Sequence, residues 1–200
     1  EPETTMILRH PLIAKIFEFG EDDANSILWI AREYLDGMTL EEHLENFGPF
    51  PPDEGIQIIL SLAGTLDYLH SQGVVHRDLK PSNIFIQHGH PVFIDFGLAY
   101  STHQTFLSKS GSKAGTDPYL SPEMWDEERR DDFRNHPSRD WWGLGCVAFE
   151  MFTGKRLFSE SEPTLLKTEV LEGKAGEIIG REIPDSRSRE LVSALLERDL

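Results

Sequence analysis

The chain has 200 residues, of which 38% are hydrophobic and 27% charged, so it can bury one sizeable core. Its formal net charge of -16 argues against nucleic acid or an anionic membrane as a partner and weakly favours basic protein substrates. No apolar run reaches the roughly 18 residues of a membrane helix, no secretory signal is visible, and the single cysteine, Cys146, suits an intracellular, cytoplasmic location.

The first predicted elements are a helix end and a pair of strands. Residues 5–10 resemble the last turn of a helix that stops before Pro11, because a residue that precedes proline avoids the helical conformation. Residues 12–19 and 27–34 are rich in β-branched and aromatic side chains and flank the polar residues 20–25, which predicts two strands joined by a turn.

Two helices are predicted next. Thr39 and Glu42 form a capping box, which predicts the start of a short helix. A longer helix is predicted from Pro52 to about Gly73. Its apolar residues keep a helical spacing, which predicts a buried stripe. The predicted stripe consists of Ile56, Ile59, Leu60, Ala63, Leu66 and Leu69.

A short hairpin with polar residues at its open end follows. Residues 84–86 and 92–94 are apolar runs separated by the turn-forming residues 87–91, which predicts two antiparallel strands. Antiparallel pairing would place Asn83, just before the first strand, beside Asp95, just after the second. Amide and carboxylate oxygens suit Mg²⁺, so we predict a magnesium site at this end of the hairpin.

The segment before the hairpin reads His-Arg-Asp-Leu-Lys-Pro-Ser-Asn at residues 76–83, called the 76–83 loop below. In it, Asp78 is a candidate base and Lys80 a cation that could neutralise a transferring phosphoryl group. With Asp-Phe-Gly at residues 95–97, the loop resembles the H-R-D-x-x-x-x-N and D-F-G motifs of eukaryotic-type protein kinases, and the Lys80 spacing resembles the serine/threonine branch. A charged loop before a buried hairpin is the alternative, but eight ordered positions plus a second motif far exceed a lone pattern match.

The resemblance implies a role for each polar residue of these motifs. Asp78 would accept the proton of the substrate hydroxyl, and Lys80 would contact the γ-phosphate of ATP. Asn83 and Asp95 would hold Mg²⁺, so both residues and Lys80 belong to the predicted nucleotide site as well. The implied cofactors are ATP and Mg²⁺.

The same resemblance extends to the segment at residues 32–37, which is similar to the hinge between the two kinase lobes. Backbone groups of Glu33 and Leu35 would bond the edge of adenine, and Phe85 is placed at the nucleotide site too. The family usually has an apolar or small residue at the Arg32 position. The arginine either narrows the pocket behind adenine or turns outward without effect.

Residues 101–115 form a polar stretch that resembles the kinase activation loop. Ser112 lies where many kinases carry the activating phosphate, which Arg77 would bind through a charge-assisted pair. Ser108 and Ser110 are the alternative acceptors.

The next segment, at residues 115–123, resembles the substrate-docking segment of the family. Within it, Thr116 matches the threonine that bridges the catalytic aspartate and lysine, and Ser121 replaces the alanine of the Ala-Pro-Glu motif. Residues 125–139 form a charged insertion that we expect to be a solvated loop, with a docking surface as the alternative.

Helices are predicted for the rest of the chain. Asp140 opens a helix that runs to about Phe152, with Gly154 as its cap, and it resembles the aspartate that anchors the catalytic-loop backbone in kinases. Further helices are predicted near residues 163–171 and 188–198.

The predicted fold class is therefore α+β and protein kinase-like. Residues 1–35 would be the remnant of the β-rich small lobe with the hinge, and residues 36–200 the helical large lobe without its C-terminal end. Glu1 falls at the place of the glutamate that pairs with the strand lysine, or it is a frayed end. The chain contains neither the Gly-x-Gly-x-x-Gly nor the Val-Ala-Ile-Lys motif of the family.

Two functions follow from these observations. The first is a serine/threonine protein kinase, of which this chain is a piece, that transfers the γ-phosphoryl group of ATP to protein hydroxyls. The alternative is a pseudokinase-like binding module, favoured by the missing motifs and by Arg32. We expect little or no activity from the 200 residues alone, because phosphoryl transfer depends on positioning the phosphates.

Overall fold

The computed structural model describes residues 8–22, 27–94, 118–160 and 162–197. Residues 8–10 have no regular structure and residues 11–12 form a turn, so the predicted helix does not extend to His10. Within these ranges, every helix falls short of the length and apolarity that a bilayer crossing requires.

The first two strands form a separate antiparallel sheet. Strand β1 spans Ile16–Asp22 and β2 spans Ile27–Arg32. The predicted first strand is therefore displaced toward the C-terminus. The reason is that residues 12–14 pair elsewhere, since the Phe93 N–H donates to the Leu12 carbonyl at 2.9 Å and the Ala14 N–H donates to the Phe93 carbonyl at 2.9 Å.

The second sheet has three strands in the order β3-β4-β5, which are Met38–Thr39, Ile84–Gln87 and His90–Phe93. Strands β4 and β5 form the predicted antiparallel hairpin, with Ile84 opposite Phe93. Its turn is shorter than predicted, because Gln87, His90 and Pro91 belong to the strands, and Ile94 lies outside β5. The pairing of β3 with β4 was not predicted, because a two-residue strand carries no alternation in the sequence.

The helices contribute most of the core side chains. They are α1 (Leu40–Phe47), α2 (Pro52–Ser71), α3 (Arg130–Phe133), α4 (Ser138–Thr153), α5 (Pro163–Leu171), α6 (Ala175–Glu182) and α7 (Ser186–Leu195). The capping box before α1 is confirmed, since Thr39 and Glu42 exchange hydrogen bonds at 2.8–3.1 Å. Helix α6 was missed, and α4 and α7 begin two residues before their predicted starts.

Helices α2, α4 and α7 pack against one another around the largest cluster of buried side chains. The predicted stripe of α2 was partly wrong, since Leu60 is 51% exposed whereas Ile58 and Leu62 are buried. The charged insertion at residues 125–139 is more than a solvated loop. Trp125 packs on the core, and the insertion contains α3 and the first residues of α4.

Candidate active site

The 76–83 loop connects α2 to β4 and ends in a 3-10 turn, Pro81–Asn83. Asn83 is 6% exposed, and its carbonyl accepts the Ile94 N–H at 3.1 Å. Asn83 is thus beside the residue that precedes Asp95 in the sequence. Asp95 itself lies outside the described residues, so the meeting of Asn83 and Asp95 stays a prediction.

The structure brings the three described motif residues together. The Lys80 Nζ lies 2.9 Å from the Asp78 Oδ2. The Asn83 Nδ2 donates at 2.8 Å to the Asp78 Oδ2 and at 2.8 Å to the Asp78 carbonyl. The side chains of Lys80 and Asp78 are 34% and 36% exposed, so a substrate can still reach both of them.

The orientation of Asn83 suits a metal ligand. Its Nδ2 is used by both bonds to Asp78, which leaves the Oδ1 as the atom that a ligand would meet. A neutral oxygen of this kind is a hard donor appropriate for Mg²⁺. The residue therefore fits the metal site that the sequence predicts.

The backbone before Asp78 is held by Asp140. This residue lies in the first turn of α4 and is 1% exposed. The Asp140 Oδ2 accepts the His76 N–H at 2.7 Å, and its Oδ1 accepts the Arg77 N–H at 2.8 Å. The predicted anchoring role of Asp140 is confirmed. The sequence analysis missed His70, in the last turn of α2, whose Nε2 lies 2.8 Å from the same Oδ2.

Arg77 has an unusual backbone conformation. Its φ angle is +72°, in the left-handed region, which costs a residue with a Cβ about 1–3 kcal/mol. The two bonds from Asp140 to this stretch of backbone help to hold it there. The 76–83 loop therefore depends on α4 for its shape.

A glycine of α4 allows the 76–83 loop to pack closely against this helix. A Cβ added at Gly143 would lie 2.9 Å from the Leu79 Cβ, which is nearer than packed carbon atoms approach. The helix can therefore support the loop only without a side chain at this position.

The predicted nucleotide residues of the hinge and sheet meet in a second, small cluster. Leu35 and Phe85 pack against the buried side chains of Ala14, Val92 and Ile94. The Glu33 N–H donates to the Lys15 carbonyl at 2.8 Å. The hinge is thus attached to the sheet, with Leu35 and Phe85 on the same apolar surface.

Arg32 does not simply turn outward. Its Nη1 donates to the Ile94 carbonyl at 3.2 Å. The guanidinium therefore links the end of β2 to the backbone immediately before Asp95.

The described part of the docking segment is joined to α4 by Tyr119. Its hydroxyl donates to the Glu150 Oε2 at 2.5 Å. Burial, reinforced by the charge of Glu150, raises the pKa of Tyr119 well above its usual range. Burial also raises the pKa of Glu150, although the bond from Tyr119 acts in the opposite direction. The sequence analysis missed this pair because the two residues are 31 positions apart.

Several predicted residues cannot be placed. Glu1, Asp95, Ser112 and Thr116 lie outside the described residues, as do Ser108 and Ser110. Their predicted roles in the metal site and the activation segment remain predictions.

Comparison with known proteins gives a consistent result. The protein kinase domain family matches residues 1–199. The serine/threonine-protein kinase PknB of Mycobacterium leprae is 35% identical over 167 residues, which cover 82% of this chain and 26% of PknB. The serine/threonine-protein kinase PrkC of Bacillus subtilis is 36% identical over 156 residues, which cover 78% of this chain and 23% of PrkC. The chain thus spans about a quarter of the length of these relatives.

Solved structures agree with this assignment of the fold. A crystal structure of Rad53 residues 1–466 in complex with AMP-PNP superposes with a TM-score of 0.76 at 26% identity, covering 98% of this chain and 48% of that one. The kinase domain of Rad53 with its SCD2 segment superposes with a TM-score of 0.72 at 26% identity, covering 99% of this chain and 69% of that one. From its family match, its relatives and its fold, this chain belongs to the protein kinase domain family.

Proposed function

We propose that the protein is a serine/threonine kinase that transfers the γ-phosphoryl group of ATP to hydroxyls of protein substrates. The observation that carries the proposal is the cluster of Asp78, Lys80 and Asn83, whose polar atoms lie 2.8–2.9 Å apart. The relatives named as serine/threonine kinases support the same substrate class.

Each residue of this cluster has a role that its geometry supports. Asp78 is accessible and accepts the proton of the substrate hydroxyl, while the bond from Asn83 keeps its carboxylate in place. Lys80, beside that carboxylate, provides a positive charge for the transferring phosphoryl group. Protein kinases use ATP with Mg²⁺, which neutralises the charge that develops on the phosphates. In this chain Asn83 and Asp95 would hold the metal.

The hinge residues form the other half of the proposed nucleotide site. The Glu33 N–H is already bonded to Lys15, so the Glu33 carbonyl is the group available to adenine, together with the backbone of Leu35. Phe85 provides an apolar surface for the base. The similar structure of Rad53 is a complex with AMP-PNP, which supports an ATP-type ligand at the proposed nucleotide site of this chain.

We also propose that residues 1–35 belong to the small lobe and residues 36–200 to the large lobe. The separate sheet of β1 and β2 precedes this boundary, and the described helices α1 to α7 follow it. The activation segment would carry a phosphate at Ser112, with Arg77 as its partner, and Thr116 would contact the catalytic residues. Acidic composition and the single cysteine support a cytoplasmic kinase that acts on basic proteins.

The test is a phosphoryl-transfer assay with the full-length natural protein, γ-labelled ATP, Mg²⁺ and myelin basic protein. Asp78→Asn should lower kcat by about 10²–10⁴-fold because the proton acceptor is lost. The control is Asp67→Asn, the same chemical change at an exposed position of α2, which should retain full activity.

The alternative, a pseudokinase-like binding module, makes the opposite prediction. If the wild-type protein neither binds Mg·ATP nor labels the acceptor, the kinase proposal is wrong. Equal labelling by wild type and Asp78→Asn would also contradict it, because the transfer would then not depend on this site.

A further inference from the structure

The peptide unit that joins Arg77 to Asp78 is held by a side chain that the kinase motifs do not include. The Arg139 Nη2 donates to the Arg77 carbonyl at 3.1 Å. Arg139 lies in the first turn of α4, next to Asp140. The sequence analysis had assigned it to the solvated insertion.

The bond from Arg139 completes a set of contacts along this backbone. Asp140 accepts the N–H groups of His76 and Arg77. The next N–H, that of Asp78, is 3.4 Å from the His76 Nδ1. Arg139 holds the opposite edge of the same peptide unit through its carbonyl, so this unit is fixed on both sides.

The conformation of Arg77 makes this bond useful. A φ angle of +72° is unfavourable for arginine and persists only where surrounding contacts enforce it. Rotation about the Cα–C bond of Arg77 would turn this peptide unit and displace the Asp78 Cα, and with it the carboxylate. A guanidinium that holds the Arg77 carbonyl opposes this rotation.

Arg139 is itself fixed by a second contact. Its Nη1 donates to the Arg134 carbonyl at 2.6 Å, at the end of α3. The guanidinium therefore bridges two backbone carbonyls, which its planar set of donors permits. The insertion that contains α3 is thereby connected to the catalytic loop.

We infer that Arg139 is a positioning residue, which keeps Asp78 in its catalytic orientation by holding the Arg77 carbonyl. This inference rests on the proposed kinase function, which it deepens. It concerns the rate of phosphoryl transfer and leaves nucleotide binding unaffected.

The test compares Arg139→Met with wild type in the full-length natural protein, using the transfer assay above. We expect kcat to fall by about 10–100-fold, because small displacements of a catalytic group have effects of this size. The KM for ATP should stay within about twofold, since the two bonds from Arg139 reach the carbonyls of Arg134 and Arg77. Arg139→Lys, which keeps the charge but not the planar donors, should recover part of kcat.

The matched control is Arg130→Met. The Arg130 Nε also donates to a backbone carbonyl at 3.1 Å, that of Met124, within the same insertion. This bond does not touch the 76–83 loop, so kcat should be unchanged. Equal kcat in wild type and Arg139→Met, or equal losses in Arg139→Met and Arg130→Met, would overturn the inference.

Amide hydrogen exchange provides a readout that does not require activity. Peptides covering residues 74–80 should exchange faster in Arg139→Met than in wild type or Arg130→Met. If wild type transfers no phosphate, the proposed function is wrong. If amide exchange is unchanged in Arg139→Met, the inference that Arg139 supports the loop is wrong, whatever the activity. If Arg139→Met does not fold, Arg139→Gln replaces it, and failure of both variants to fold would show a purely structural role and overturn the inference.

Discussion

Replacing Asp140 by asparagine tests how far the catalytic loop depends on α4. The aspartate accepts bonds from two backbone N–H groups and is paired with His70, all at 2.7–2.8 Å. Asparagine has nearly the same shape but only one acceptor oxygen. In either orientation of the amide, one of the N–H groups of His76 and Arg77 therefore faces a nitrogen that cannot accept.

The magnitude follows from these contacts. One buried N–H without an acceptor costs about 1–3 kcal/mol, and the remaining bonds lose the assistance of a charge. We therefore expect a loss of about 2–4 kcal/mol in the free energy of unfolding. For a domain of this size the loss corresponds to a fall in Tm of about 4–16 °C.

Thermal unfolding of the full-length protein, followed by tryptophan fluorescence, measures this effect. Trp141 packs edge-on against His70 with ring centroids 5.6 Å apart, so its emission reports on the same region. Asp67→Asn, at an exposed position, is the control and should leave Tm unchanged.

One result would refute the reasoning. The desolvation of a buried charged group can cost more free energy than its contacts contribute, and a variant with a neutral replacement is then as stable as wild type or more stable. An Asp140→Asn variant with the Tm and kcat of wild type would mean that the backbone contacts of Asp140 do not stabilise the loop.

Three further predictions concern the support of the loop, the hinge and the docking segment. Gly143→Ala should lower the free energy of unfolding by about 1–3 kcal/mol in urea denaturation, because its Cβ would lie 2.9 Å from the Leu79 Cβ. The control Gly64→Ala places a Cβ in open space and should not destabilise the protein. Equal effects of the two substitutions would contradict the packing argument. Arg32→Met should raise the dissociation constant of Mg·ATP about 2–10-fold in calorimetric titration, because it removes the bond to the carbonyl of Ile94, which precedes the predicted metal ligand Asp95. Unchanged affinity would show that this bond does not influence the site. Burial raises the pKa of Glu150 above its ordinary value of 4.5. The folded state therefore binds the carboxyl proton of Glu150 more tightly than the unfolded chain does. The stability that this difference provides is lost as the pH rises through the raised pKa. The free energy of unfolding of wild type relative to Glu150→Gln should therefore decrease as the pH rises above 4.5, the ordinary pKa of the group, and an increase would contradict the sign.

The hairpin after the 76–83 loop could be predicted because its signal is local. Residues 84–86 and 92–94 are apolar runs on either side of turn-forming residues, and the structure pairs Ile84 with Phe93. The capping box at Thr39 is local in the same sense, since both of its bonds join residues three apart. Such features need only the chemistry of neighbouring residues.

The displaced first strand shows where local signals fail. Residues 12–14 are as apolar as a strand, but they pair with Phe93 of β5, about 80 positions away. No local pattern contains this partner. The exposed Leu60 has the same cause, since the face of α2 that is buried depends on how α4 and α7 pack against it.

By itself, the sequence determined the family of the chain, and the residue types and spacing in the 76–83 loop and at Asp95 predict a base, a cation and two hard oxygen ligands. The tertiary structure alone decided what holds these groups in place. Arg139 and Gly143 support the loop from α4 and are distant from it in the sequence, whereas His70 is close in sequence and acts through its contact with Asp140. Their roles depend on the packing of the helices, because a residue can hold a peptide group only when the fold brings the two within hydrogen-bond distance.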